Sequence, residues 1–215
     1  ENVSNLDHDF LKKIQRIHAP RTIDEAEKAR SGIAFQELCA FYISIAKQKA
    51  LSENKKSVLI TRHIEMEDRM MAELPFILTS DQTRCVNEIF RDLEEPRPMN
   101  RLLQGDVGSG KTLVSALIAL SCAKSNLQVA LMAPTEILAE QHFANFNSWF
   151  KPLGIQVACL SSLTPHKKAM EIKKALRGGH IDILVGTHAL IQESVEFTSL
   201  GLVIIDEQHK FGVHQ

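Results

Sequence analysis

A glycine-rich segment in the middle of the chain constrains the fold more than any other feature. Residues 105–112 read Gly-Asp-Val-Gly-Ser-Gly-Lys-Thr, the complete G-x-x-x-x-G-K-T pattern of a phosphate-binding loop, or P-loop. A short, largely apolar stretch at 101–103 precedes it, as a strand would, and an apolar run at 113–120 follows it, as a helix would. The chemistry needs that order, because the loop N–H groups and the helix N-terminus together face a phosphate.

The side chains of this loop predict a site for ATP and Mg²⁺. Lys111 is expected to reach the β- and γ-phosphates, and the Thr112 hydroxyl to bind Mg²⁺. The glycine-rich turn lets the backbone approach the phosphate oxygens. The remaining cofactor contacts are then expected from the loop itself, at Gly105, Val107, Gly108, Ser109 and Gly110.

A second motif lies near the end of the sequence. The apolar run at 202–205 is typical of a strand buried on both faces, and it ends in Asp206 and Glu207. A carboxylate at the carboxyl end of such a strand is well placed to hold Mg²⁺, so Asp206 is a candidate metal ligand. Glu207 is the candidate that orients and deprotonates the attacking water. The same acidic pair also occurs as a plain solvated loop, and the upstream P-loop favours the catalytic interpretation.

From residue 76 onward, apolar stretches alternate with helical patterns. This alternation predicts βαβ units, and therefore an α/β fold with a parallel sheet flanked by helices. In such sheets, ligands bind at the carboxyl ends of the strands. The predicted strands are 101–103, 129–132, 156–160, 181–185 and 202–205, and the predicted helices are 81–93, 112–125, 136–150 and 167–177.

Residues 1–75 have a different character, with Gly32 as their only glycine. Thr22 has the hydroxyl of a helix cap, and the apolar positions after it predict one long helix to about residue 51. Residues 57–74 are expected to form another helix or an extended tether. We therefore divide the chain into a helical connector, 1–75, and a nucleotide-binding domain, 76–215, and expect the chain to be a piece of a longer protein.

Further candidates flank the two motifs. Phe76 is placed to stack on a base, and the Gln82 amide matches the hydrogen-bonding edge of adenine, although it is equally typical of a solvated helix start. Thr135, after Pro134, is a candidate helix cap whose loop offers a phosphate ligand. The loop of Thr187 and His188 follows its strand in the same manner, although a lone histidine usually has no such role.

Composition limits the partners that the chain can have. A net charge of −1 argues against bulk non-specific affinity for nucleic acid, although a local basic surface remains compatible with it. The four cysteines are far apart and form no C-x-x-C pair, so we expect small apolar residues in a reduced, cytoplasmic protein. No apolar segment approaches the length of a membrane span, so no membrane partner is expected.

Four segments, in this order, resemble the first RecA-like lobe of the RecG family of superfamily 2 DNA helicases. The resemblance covers residues 76–215 strongly and extends more weakly into the connector. After Cys159 and Leu160 the chain departs from the family, with Ser161 and Ser162 where a glycine-containing turn is usual. The segments are MNRLLQGDVGSGKT at 99–112, APTEILAEQH at 133–142, VGTHALIQ at 185–192 and DEQHKFGVHQ at 206–215.

The resemblance implies roles for individual residues. Thr79 and Gln82 read adenine, and His209 couples the nucleotide to movement. The binding and hydrolysis of Mg-ATP fall to Lys111, Thr112, Asp206 and Glu207, and contacts with the DNA backbone to Pro134, Thr135, Thr187 and His188.

The resemblance also implies partners. They are branched DNA, such as replication forks and Holliday junctions, and the wedge domain and second RecA-like lobe of the same monomeric protein. Because the second lobe carries an arginine finger, this lobe alone is expected to hydrolyse ATP poorly. Three alternatives stay open: a transcription-repair coupling translocase with a similar motor, a nucleotide-binding interaction module without translocation, and a small-molecule P-loop kinase. A kinase would leave the loops at 134–135 and 187–188 unexplained.

Overall fold

The computed structural model describes residues 3–53, 56–75 and 77–210. It contains two compact units, Glu1–Lys56 and Ser57–Gln215. Residues 57–75, which the sequence analysis grouped with the connector, lie in the second unit. Hydrogen bonds from Ser57 N to Pro96 O (3.0 Å) and from Ile60 N to Leu93 O (3.2 Å) fasten this segment, and Ile60 is buried in the main core. The role of residues 1–75 as a connector stays a prediction.

The first unit is a pair of helices, α1 (Val3–His18) and α2 (Ile23–Glu53), that pack on each other. The predicted hydroxyl cap is present, because the Glu25 N–H donates to Thr22 Oγ1 at 3.1 Å. The spacing of the apolar residues of α2 is typical of a helix face that is buried, but two of these residues are largely exposed to solvent. Leu38 and Phe41 are more than half exposed, at 54% and 60%. The spacing of apolar residues therefore predicts the helix correctly, but it does not predict whether another part of the protein covers these residues.

The second unit has the predicted alternation of helices and strands. None of the helices in the part of the chain that the structure describes is long and apolar enough to cross a bilayer. The helices are α3 (Ile64–Ala72), α4 (Ser80–Leu93), α5 (Lys111–Lys124), α6 (Glu136–Phe150) and α7 (His166–Arg177). The strands are β1 (Gln128–Met132), β2 (Val157–Leu160), β3 (Ile183–Gly186) and β4 (Leu200–Ile205).

The four strands form a parallel sheet in the order β2-β3-β1-β4, with helices on both faces. Successive side chains of β1 enter different apolar clusters, because side chains alternate along a strand. Val129 and Leu131 pack in the cluster that includes α4, α5 and α6, whereas Ala130 and Met132 pack in the one that includes α7. The predicted α/β fold with a parallel sheet is therefore confirmed.

The predicted strand at 101–103 is wrong. Residues 101–106 have no regular secondary structure, and within the described residues no strand pairs with them. The side chain of Leu102 is 74% exposed. A strand needs a neighbour to accept and donate its backbone hydrogen bonds, and this short stretch has none in the described sheet.

The buried Gln128 fixes the amino ends of the strands. Its Nε2 donates to the carbonyls of Leu176 and Ile181, both at 2.9 Å. Its Oε1 accepts from the N–H groups of Thr198 (2.7 Å) and Ser199 (3.1 Å). One amide thereby satisfies four backbone groups on the segments that lead out of α7 and into β3 and β4.

The carboxyl ends of the strands lie level with one another. Met132 pairs with Gly186 of β3 and with Ile205 of β4. Beyond the strands, the N–H groups of Ala133 and Asp206 donate to the carbonyls of Gly186 and Met132, both at 2.8 Å. The segments that follow β1, β3 and β4 therefore start at one edge of the sheet, where parallel α/β folds bind ligands.

Candidate nucleotide-binding site

The P-loop is an exposed turn that leads directly into α5. Gly108 and Gly110 have φ angles of 79° and 83°, a left-handed conformation that glycine adopts without steric cost. Gly110 is also the N-cap of α5, and a Cβ atom there would collide with the amide nitrogen of Gln82. The glycines at 108 and 110 are thus explained mainly by the left-handed backbone at these two positions.

Lys111 folds back over the loop that precedes it. Its Nζ donates to the carbonyl of Gly105 at 2.7 Å and to the carbonyl of Asp106 at 2.8 Å. The ammonium therefore lies against the loop that is predicted to hold the phosphates. Because a charged phosphate oxygen is a stronger acceptor than a neutral carbonyl, we expect Lys111 to exchange these contacts when a nucleotide binds.

Gln82 braces the P-loop from the start of α4. Its Nε2 donates to the carbonyl of Ser109 at 2.9 Å, and its Oε1 accepts from the Thr79 N–H at 2.9 Å. Thr79 Oγ1 in turn accepts from the Gln82 N–H at 3.2 Å, which completes a capping box. The Thr-x-x-Gln spacing carries the signal for this box, which the sequence analysis missed. Reading of adenine by these two residues stays a prediction, and Phe76 lies outside the described residues.

Asp206 is held at the end of β4 by its backbone and by its side chain. Its Oδ2 accepts a hydrogen bond from Nε2 of His142 at 2.7 Å. His142 lies on α6 and is buried, with 9% of its surface exposed. No local sequence pattern indicates a role for His142, because it is separated from Asp206 by 64 positions.

Glu207 begins a sharp turn after the strand. Its φ of 51° is left-handed, an uncommon conformation for a residue with a side chain, and one that is often found at functional sites. The carbonyl of Glu207 accepts from the Lys210 N–H at 2.8 Å, which closes the turn. His209 lies in this turn, within Gln208–Lys210, but its side chain lies outside the described part of the structure. Its role in coupling the nucleotide to movement stays a prediction.

The two candidate DNA loops differ in exposure. Thr135 is exposed and caps α6, accepting from the Leu138 N–H at 3.3 Å, while Pro134 beside it is half buried. Thr187 is only 2% exposed, and its Oγ1 has no hydrogen-bond partner. Contact between this hydroxyl and DNA therefore requires the loop to open. His188, the next residue, is exposed.

The donor atoms of Thr112 and Asp206 fit Mg²⁺. The hydroxyl of Thr112, in the first turn of α5, and the carboxylate of Asp206 are both oxygen ligands, which this hard cation prefers. Within the described ranges, no group of three or more His, Cys, Asp or Glu side chains forms a metal site, and the four cysteines are free. Burial raises the pKa of the Cys122 thiol to about 12, so it packs as a small apolar group.

Comparisons with known sequences show which family the chain belongs to. The model of the family described as DEAD/DEAH box helicase matches residues 79–215. The ATP-dependent DNA helicase RecG of Synechocystis sp. is 46% identical over 210 residues, which cover 96% of this chain and 25% of that protein. RecG of Pasteurella multocida is 44% identical over 217 residues, which cover 97% of this chain and 31% of that protein. The chain thus spans between a quarter and a third of the length of these relatives.

A comparison of structures gives the same result. A solved structure of RecG bound to a three-way DNA junction is similar with a TM-score of 0.77 and 43% identity, and the match covers 90% of this chain and 26% of that one. Together with the parallel sheet, this match confirms the RecA-like fold that the sequence predicted. The chain belongs to the DEAD/DEAH box helicase family, and it is similar in sequence to RecG helicases along nearly its whole length.

Proposed function

We propose that this chain is the ATP-binding motor lobe of a DNA helicase that remodels branched DNA, including stalled replication forks, in recombination and repair. One observation carries the proposal. Helix α5, which starts in the P-loop, packs on β1 and β4, and these strands lead into the Thr135 loop and Asp206. The similarity to RecG helicases supports the choice of DNA as partner.

In the proposed reaction, the oxygen of water attacks the γ-phosphorus of ATP in line with the bond to the β–γ bridging oxygen. That bond breaks, and ADP leaves with the electron pair. Lys111 binds the β- and γ-phosphates and neutralises charge that develops there. Glu207 orients the water and accepts its proton. Thr112 and Asp206 would hold Mg²⁺, which would supply further positive charge to stabilise the transferred phosphoryl group. A second lobe of the same protein contributes an arginine, so we expect slow hydrolysis by this lobe alone.

Movement along DNA would follow from opening and closing of the cleft between the two lobes. Pro134, Thr135 and His188 are the proposed backbone contacts of this lobe, together with Thr187 if its loop opens. Since the chain has a net charge of −1, these contacts are expected to give weak binding that decreases with salt. We further propose a monomeric protein of the cytoplasm.

The test is the ATPase activity of the full-length protein with different DNA substrates. We expect forks and Holliday junctions to stimulate hydrolysis more strongly than linear duplex of the same length, and Lys111→Ala to abolish the stimulation. Equal stimulation by plain duplex would favour a transcription-coupling translocase. An activity that no DNA stimulates would overturn the helicase proposal in favour of an interaction module or a kinase.

A further inference from the structure

A side-chain contact that has no role in the proposed reaction joins α6 to Asp206 at the candidate site. Nε2 of His142 lies 2.7 Å from Oδ2 of Asp206, and the two side chains are 11% and 29% exposed. A carboxylate only accepts hydrogen bonds, so the imidazole is the donor in this pair. Because the histidine is shielded from water, water molecules compete poorly for the hydrogen bond that its N–H donates.

The imidazole lies on the buried face of α6. His142 belongs to the buried stripe of α6, together with Ala139, Phe146 and Phe150. The rings of Phe146 and Phe150 meet edge to face, with their centroids 5.2 Å apart, and both residues are fully buried. A polar ring in such an apolar stripe is costly unless its nitrogen has a partner. Asp206 is that partner, and it gains a donor that the helix holds in place.

The backbone of Asp206 is fixed independently. Its N–H donates to the Met132 carbonyl at the end of β1, the strand that leads into the Thr135 loop. The strand therefore positions the main chain of Asp206, while α6 positions its carboxylate. Both elements border the Thr135 cap, which lies about two helical turns before His142.

We propose that His142 is a positioning residue that fixes the rotamer of Asp206 for metal binding and joins the carboxylate to the helix that follows the Thr135 loop. This inference rests on the proposed function, in which Asp206 holds Mg²⁺ and the Thr135 loop contacts DNA. Hydrogen-bonded partners of metal ligands commonly change metal affinity by about 10–100-fold when they are removed. His142 acts through Asp206 and makes no contact with ATP in this proposal.

The test compares three substitutions in the full-length protein. The amide nitrogen of His142→Gln reaches about as far as Nε2 and donates, whereas that of His142→Asn is one methylene shorter, and His142→Ala has no donor. The readout is the affinity for Mn²⁺ in the presence of ADP, measured from the electron paramagnetic resonance of free Mn²⁺, which needs no turnover. Mn²⁺ prefers the same oxygen ligands as Mg²⁺. The matched control is His180→Ala, at an exposed histidine outside the site.

We expect His142→Ala and His142→Asn to weaken Mn²⁺ binding about 10–100-fold. His142→Gln should stay close to the native affinity, and ADP binding in EDTA should be unchanged. If His142→Ala fails to fold, the difference in Mn²⁺ affinity between the Gln and Asn variants still tests the proposal. Equal Mn²⁺ affinity in the Gln and Asn variants would overturn the proposal, and so would an unaltered affinity in the Ala variant.

Failure of the two proposals can be told apart. A native protein that binds no Mn²⁺ with ADP would overturn both. If Mn²⁺ affinity depends on the donor at position 142 but no DNA stimulates the ATPase activity, the proposed function alone is overturned and the positioning role is supported.

Discussion

The P-loop is an exposed turn, whereas the turn that follows β4 is half buried and attached to the sheet. Lys111 and Gln82 hold the P-loop through hydrogen bonds to its backbone carbonyls. Met132 and His142 hold Asp206, and neither is a predicted ligand of the nucleotide. The groups expected to bind ATP therefore also brace the P-loop, while separate residues support the carboxylate that is proposed to bind the metal.

This difference has an energetic consequence. A nucleotide that enters the P-loop must exchange protein contacts for its own, so part of its binding energy replaces hydrogen bonds already made. The carboxylate of Asp206 needs no such exchange, because strand register and the buried imidazole orient it in advance. Substitutions in the P-loop should thus change nucleotide affinity. Removal of the Glu207 carboxylate, in the turn that follows β4, should instead change the rate of turnover.

The largest effect is expected for Glu207→Gln in the full-length protein. The amide keeps the shape of the side chain but cannot accept the proton of water, and removal of a general base typically lowers the rate by about 10²–10⁴-fold. The affinity for ATP should change by less than about 0.5 kcal/mol, because no phosphate contact is lost. Single-turnover hydrolysis and a nucleotide titration measure the two quantities.

The control for this variant is Glu193→Gln, an exposed carboxylate outside the site. A loss of ATP affinity as large as the loss of turnover would contradict the separation of roles, since it would mean that the β4 turn also supports binding.

Lys111→Ala should have the next largest effect, on the other side of the comparison. Charge-assisted hydrogen bonds contribute about 1.5–3 kcal/mol each, so loss of the phosphate contacts should weaken nucleotide binding by at least about 100-fold. The free energy of unfolding should fall by no more than about 1 kcal/mol, because the two bonds lost in the unliganded protein lie on an exposed loop. Lys167→Ala on α7 is the matched control. An unchanged titration would remove the P-loop assignment.

The contrast between the two turns also explains what the sequence could predict. The P-loop is contiguous, so its residues, the start of α5 and the need for glycine at 108 and 110 all follow from one local pattern. Helix α6 likewise begins and ends at the predicted residues, 136 and 150, because its apolar periodicity and the Thr135 cap are local. Most strand positions follow from short apolar runs in the same way.

The missed features depend on contacts between distant segments. The bond from His142 to Asp206 requires the register of β1 against β4 and the rotation of α6, which no local pattern encodes. Residues 101–103 have strand-like composition, but composition does not tell whether a neighbouring strand lies beside them. For the same reason, the apolar positions of α2 predicted a helix without predicting that Leu38 and Phe41 stay exposed.

The smallest effect, and the sharpest test of the brace, is expected at Gln82. In Gln82→Ala both amide contacts are lost, which should reduce the free energy of unfolding by about 1 kcal/mol. A typical hydrogen bond within a protein contributes about 0.5–1.5 kcal/mol net, and these two are exposed to solvent. Gln82→Glu keeps an oxygen for the Thr79 N–H and hence the capping box, but it cannot donate to the Ser109 carbonyl. Comparison of the two variants therefore separates the contribution of Gln82 to the stability of α4 from its contribution to holding the P-loop.

Hydrogen exchange of the P-loop amides in the protein without nucleotide distinguishes these contributions. The Ser109 N–H, which donates to the Asp106 carbonyl at 3.2 Å, should exchange about fivefold faster in both variants, the equivalent of about 1 kcal/mol. The midpoint temperature of thermal unfolding should be lower in Gln82→Ala and close to the native value in Gln82→Glu. If exchange in Gln82→Glu stayed at the native rate, Lys111 alone would hold the loop. The P-loop would then be held only by Lys111, whose contacts with the loop are expected to be replaced by contacts with ATP. Nucleotide binding would therefore have to stabilise the loop conformation as well as occupy the site.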